Sequence, residues 1–143
     1  MTRKTPKRKQ VKSVPSSSIE RRDNVPHEHG ASLEDFVQFR QRLNVEILNE
    51  GNLVINRFFA LDTRTYEAGA LDVKTKELLG LVASLVLRCD DCVTYHLTRC
   101  AEERVTRDEI FESLSVGLIV GGSIVIPHLR RAVDRWSELE SLA

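Results

Sequence analysis

The chain has 143 residues, 41 % of them apolar, and no net charge at pH 7, which is enough for one domain with one core. No uninterrupted apolar run reaches the roughly 18 residues of a helical membrane span, and the N-terminus lacks the apolar segment of a secretory signal. The expected setting is therefore the cytoplasm, without a membrane.

The neutral total hides an asymmetry. Residues 1–30 carry eight Lys or Arg against three acids, a net of +5, so the remainder carries −5. With Pro6, Pro15, Pro26, the run Ser16–Ser18 and few large apolar side chains, this segment cannot bury enough surface to offset its ordering entropy. It reads as a disordered basic tail joined to a helical domain over 31–143. Such a tail either solubilises the chain or reaches for nucleic acid or an anionic surface.

From Ser32 the signals are helical. Ser32 with Asp35 forms a capping-box-like start, and Phe36, Phe39, Leu43, Val45, Ile47 and Leu48 follow at helical spacing. Gly51 ends this helix and Asn52 caps a second, through Leu53, Ile55, Phe58 and Phe59. Asp62 to Gly69 is polar and reads as a loop or a last helical turn. Asp72 caps a third helix, with an apolar face of Leu78, Leu79, Val82, Leu85 and Val86. A fourth begins near Asp90 and is broken at Val105-Thr106. Thr106 and Glu109 box the start of a fifth, through Ile110, Leu114, Leu118 and Ile119, which Gly121-Gly122 closes. The longest apolar stretch, Leu114 to Pro127, reads as a buried helix and its turn. A last helix runs from about Ser123 to Leu139, with Pro127 either kinking it or standing in its first turn. Sustained period-two alternation is lacking, so the expected fold is all-α, a single domain of about six helices.

Three cysteines, two of them close together, argue against a framework of structural disulfides. The run Cys89-Asp-Asp-Cys92-Val-Thr-Tyr-His96 sits at a helix N-terminus. Residues three apart lie about 60° around the axis and about 4.5 Å along it, within reach of a disulfide. Residues four apart share a face, so His96 stands one turn from Cys92. Two thiols in reach of each other with a base beside one is what reversible dithiol chemistry needs. A free thiol of pKa about 8.5 is only about 3 % ionised at pH 7. Lowering that pKa by about two makes the thiolate about 75 %. The helix dipole favours Cys89 as the thiolate, whereas His96 favours Cys92. Asp90 and Asp91 oppose both, so spacing leaves open which sulfur attacks. If the third and fourth helices form a hairpin turning near Leu87-Arg88, Glu77 comes level with His96 to Cys100, where it can orient His96. The plainer reading of Glu77 is an exposed first-turn acid.

Zinc is the rival use of Cys-x-x-Cys. Cys89, Cys92, His96 and Cys100 fall near one face, but one straight helix cannot wrap a tetrahedral ion. Neither metal nor cofactor is expected. Cys100 reads as a small buried apolar residue, Tyr95 as a core aromatic or a wall of the site, and His128 as a surface or core residue or part of the pocket.

Glu77, eleven intervening residues, then Cys89-x-x-Cys92-x-x-x-His96 resembles the alkylhydroperoxidase D branch of the carboxymuconolactone decarboxylase-like family. Gly69-Ala70-Leu71-Asp72, Lys76-Glu77-Leu78, Thr106-x-x-Glu109-Ile110 and Gly121-Gly122 extend the likeness over about residues 33–139. The resemblance implies an all-α protein that assembles into trimers or hexamers. It also implies a thiol-dependent peroxidase or disulfide oxidoreductase acting on a peroxide or disulfide, with an external thiol donor. Carried over, Cys92 is the peroxidatic cysteine, Cys89 the resolving one, and His96 with Glu77 the proton relay. Where that branch has a second histidine just before the second cysteine, this sequence has Asp91, an acid that disfavours the thiolate. Two other functions fit the pattern less closely: a cofactor-free lyase like the decarboxylases that name the family, and a non-enzymatic redox-sensing or binding oligomer whose tail contacts nucleic acid.

Overall fold

The structure, a computed structural model, describes residues 32–142. The basic segment 1–30 and its nucleic-acid reading lie outside the described residues. Six α-helices and one short 3₁₀ turn occupy the described part: α1 (Leu33–Asn49), α2 (Leu53–Thr65), α3 (Val73–Leu87), α4 (Asp90–Glu102), α5 (Arg107–Gly121), the turn Ser123–Val125, and α6 (Ile126–Leu142). The all-α expectation holds.

The helix starts follow from their caps. Ser32 and Asp35 exchange hydrogen bonds of 3.1 Å at the head of α1, and Asn52 Oδ1 accepts from Val54 and Ile55 at α2. Asp72 accepts from the Thr75 amide at 2.7 Å, and Thr106 with Glu109 forms a capping box at α5. These side chains satisfy amides that the helix itself leaves without partners. Gly122, at φ 72°, stops α5. Pro127 lies in the first turn of α6, where its missing N–H costs no hydrogen bond.

The core is built around α3, which packs against α4 and α5, while α4 packs against α6. Leu81 and Leu85 of α3 share one buried cluster with Val93, Leu97 and Cys100 of α4, Ile110 and Leu114 of α5, and Ala132 and Trp136 of α6. Two expectations change here. The inward stripe of α3 is Glu77, Gly80, Leu81, Ser84 and Leu85, with Leu79 outside. Helix α3 is apolar on several faces, and periodicity alone does not choose among them. The stretch from Leu114 is not a buried helix throughout: Ile119 is 85 % exposed and Val120 67 %. Of the two readings of Asp62 to Gly69, the last helical turn holds for Asp62 to Thr65, which end α2, and α2 buries none of its residues.

Polar ties hold the outer elements. Lys76 Nζ donates to the carbonyls of Thr65 and Glu67 at 2.8 and 2.6 Å, fastening the end of α2 to α3. The Leu33 amide donates to Glu138 Oε1 at 2.9 Å, joining α1 to α6. Lys74 of α3 lies 2.7 Å from Glu109 at the head of α5. Lys74, with the Thr106 amide and hydroxyl, holds the Glu109 carboxyl down at about 2. The folded value is below the unfolded one of about 4.3, so this contribution is complete above the unfolded value and is lost as pH falls from there. Glu109→Gln is therefore expected to narrow the difference in urea midpoint between neutral and acidic solution. An unchanged pH dependence would refute the role given to this pair.

Candidate active site

The turn between α3 and α4 places the cysteine pair. Arg88 adopts the left-handed conformation at φ 60° and ends α3. The amides of Arg88 and Cys89 donate back to Leu85 and Ser84 at 3.0 and 3.1 Å. Cys89 then serves as N-cap of α4, its Sγ accepting from the Cys92 amide at 3.3 Å. A disulfide joins Cys89 and Cys92, with 5.3 Å between their Cα atoms. Cys89 is half-buried and Cys92 exposed.

The hairpin brings Glu77 to His96, as the register about Leu87-Arg88 requires. His96 Nδ1 lies 2.8 Å from Glu77 Oε2. Glu77 is fully buried and His96 is 7 % exposed, so the reading of Glu77 as an exposed first-turn acid is set aside. One turn along α4, Arg99 Nε donates to the other oxygen, Oε1, at 3.4 Å. The carboxylate thus has a partner on each oxygen, as a buried charge must. Because Nδ1 is bound to Glu77, the chemistry of the imidazole falls to Nε2.

Four residues of this surrounding were not singled out from sequence. Gly80 is the closest support of His96: a Cβ on Gly80 would lie 2.4 Å from the ring Cε1 and 2.7 Å from Nε2. Tyr66, after α2, has its ring centroid 5.3 Å from that of His96, and Tyr95 lies 5.1 Å away on the other contact. Burial, then the charges of Glu77 and Asp62, raises the Tyr66 pKa. Arg40 of α1 stacks over Tyr95 at 4.0 Å. Arg99 completes the set. A glycine facing an aromatic ring across two helices has no local signature. The arginines and Tyr66 stand on segments whose orientation the sequence leaves open.

A cavity of about 410 Å³ opens beside Cys92 and His96. Its apolar wall is α1, through Phe36, Phe39, Leu43 and Ile47, and its polar groups include Arg40, Asp62 and Asp91. Tyr95 lines it, whereas His128 does not. Cys100 is buried in the core, and burial followed by the charge of Glu77 pushes its thiol up to about 12. It is inert beside the Cys89–Cys92 pair. Among the described residues, no three His, Cys, Asp or Glu side chains converge to hold a metal ion.

The sequence profile of the carboxymuconolactone decarboxylase family matches residues 53–135. This chain belongs to that family. Two crystal structures of a Thermotoga maritima protein, 58 % identical in sequence, superpose with TM-scores of 0.75 and 0.73. They cover 76 % of this chain and, respectively, 96 % and 92 % of that one. The second is described as a carboxymuconolactone decarboxylase family protein with a possible involvement in antioxidative response. A family member from Legionella pneumophila, 22 % identical with a TM-score of 0.69 over 75 % of this chain and 96 % of that one, shares the fold. An uncharacterized protein of Cupriavidus necator is 33 % identical over 73 residues, 51 % of this chain and 65 % of its own length. The chain thus spans just under two thirds of that relative.

Gly80 carries a direct test of this arrangement. Gly80→Ala is expected to push the His96 ring off Glu77 and break the 2.8 Å contact. Proton NMR should show the hydrogen-bonded His96 ring N–H signal of the parent lost in the variant. Retention of that signal would show that the helices can part to admit a methyl group.

Proposed function

We propose that the protein is a thiol-dependent peroxidase or disulfide oxidoreductase of the alkylhydroperoxidase D type, cycling Cys89 and Cys92 between dithiol and disulfide. The observation that carries this reading is the disulfide at the head of α4 with the Glu77–His96 pair one turn further on. The description of the Thermotoga relative supports it as well.

In this reading, Cys92 is the attacking sulfur because it is exposed and shares the cavity with His96. His96 takes the Cys92 proton, and Glu77 holds the ring and stabilises its charged form. The thiolate attacks the outer peroxide oxygen, the O–O bond breaks, and the alkoxide leaves as the alcohol with the proton from His96. Cys92 is now a sulfenic acid. Cys89, deprotonated, attacks the Cys92 sulfur, the S–S bond forms, and hydroxide leaves as water. Two electrons from an external dithiol or a pair of thiols restore the reduced state. The apolar wall of α1 suits a substrate with an apolar body. Asp91 on the cavity rim works against the thiolate, so the rate with peroxide is expected to be modest. A reducing compartment such as the cytoplasm suits this cycle. A cofactor-free lyase would leave the cysteine pair without a task.

Reduced protein treated with an alkyl hydroperoxide should form the Cys89–Cys92 disulfide reversibly. Cys92→Ser should abolish sulfenic acid formation, Cys89→Ser should trap it, and Glu77→Gln should slow the first step by roughly a hundredfold. Failure to form a reversible disulfide with any peroxide or disulfide would overturn the redox reading.

We propose further that the chain works as a homo-oligomer, a trimer or hexamer. The support is the apolar surface left open: Phe58 of α2 is 68 % exposed, and Ile119 of α5 is 85 % exposed. Large apolar side chains left exposed in this number suit burial between copies of the chain. Ile119→Asp is expected to lower the mass measured by sedimentation equilibrium. A wild-type monomer would refute the assembly.

A further inference from the structure

A second carboxylate–imidazole–guanidinium group touches the first turn of α4, and the cycle above makes no use of it. Asp90 follows Cys89 directly. His128 Nδ1 lies 2.7 Å from Asp90 Oδ1, and Arg131 Nη1 donates to Asp90 Oδ2 at 2.9 Å. Both partners come from α6. The pattern repeats that of Glu77, His96 and Arg99, with imidazole Nδ1 on one carboxylate oxygen and a guanidinium on the other. The two differ in exposure: the Glu77 side chain is 1 % exposed and that of Asp90 41 %.

We propose that Asp90, His128 and Arg131 set the ionisation of Cys89, so that each sulfur of the pair has its own carboxylate–histidine–arginine group. This rests on the dithiol reading above. The argument is electrostatic. A carboxylate one residue from a thiol disfavours the thiolate, and a cation on that carboxylate cancels the effect. The charged neighbours of Cys89 are Arg88 before it, Asp90 and Asp91 after it, and Arg131 from α6, with the titratable ring of His128 on the same carboxylate. Asp91 lines the cavity with Cys92, and Asp90 is the acid whose charge α6 neutralises. With Asp90 compensated, the head of α4, whose Cys92 amide already donates to Cys89 Sγ, favours an anionic Cys89.

The step that needs this is the second one. Cys89 must lose its proton before it attacks the Cys92 sulfenic sulfur and releases hydroxide, which leaves as water. On reduction the proton returns. Asp90, His128 and Arg131 are positioning residues here, acting on the sulfur through charge and by pinning the first turn of α4 to α6.

The test isolates the Cys89 thiol. In a Cys92→Ser background only Cys89 and Cys100 remain, and the buried Cys100 thiol is pushed up to about 12, so the first thiolate seen by ultraviolet titration is Cys89. Arg131→Gln in that background is expected to raise the Cys89 pKa by about half a pH unit or more, and Asp90→Asn to lower it. The double variant Asp90→Asn/Arg131→Gln should return it to the parent value, which a merely structural clamp would not do. Both side chains are nearly half exposed, so the variants are expected to fold, and Asp90→Asn alone still reads the charge effect if Arg131→Gln does not. A Cys89 titration unmoved by either variant, or a double variant that stays at the Arg131→Gln value, overturns the proposal. In that case a wild-type pair that still cycles leaves the dithiol reading standing. A pair that never forms a reversible disulfide overturns that reading instead.

Discussion

A carboxylate buried between two helices imposes strict conditions on what surrounds it. Glu77 is buried, and a buried charge left unpaired costs several kcal/mol. Its two oxygens are therefore met by His96 and Arg99, both from α4. These contacts set how closely and in what register α3 and α4 approach. Gly80 lets the His96 ring lie against α3, and Leu81 and Leu85 complete the same face as core. The polar pair and the apolar core thus share one helix stripe, and neither can shift without the other.

Because that register is held, the turn at Arg88 delivers Cys89 to the head of α4 and Cys92 one turn before His96. Local geometry supplies the rest: an N-cap sulfur, a neighbouring amide that donates to it, and an imidazole whose Nδ1 is already engaged. The thiol chemistry proposed for this site therefore draws on the fold mostly through one buried hydrogen bond. Around it, α1 adds the apolar wall of the cavity, and α6 adds the partners of Asp90.

The outer helices obey a different balance. Helix α2 buries none of its residues, and α1 only Leu33. Their attachment runs through Lys76, Glu138 and the cavity wall, with Leu33 of α1 reaching the core. Apolar side chains such as Phe58 and Ile119 then stand open, which in an isolated chain loses the stabilisation that burial provides, about 25 cal/mol per Å². Association between copies would recover it.

The sequence by itself determined the helices and their starts, because caps such as Ser32, Asn52, Asp72 and Thr106 act within three or four residues of themselves. It also determined that Cys89, Cys92 and His96 share a face, since that is a relation along one helix, and a short α3–α4 turn was enough to bring Glu77 level with His96. The inward face of α3 was not determined, because a helix apolar on several sides carries no single period. The fate of Ile119 and Val120 was likewise undetermined, because apolar side chains read alike whether they meet a core or stand exposed. Only the tertiary structure decided that Glu77 is buried, that Gly80 backs the imidazole, that Tyr66 and Arg40 enclose the site, and that Asp90 is met by His128 and Arg131. Each of these depends on how separate helices pack against one another, and no local pattern encodes that packing.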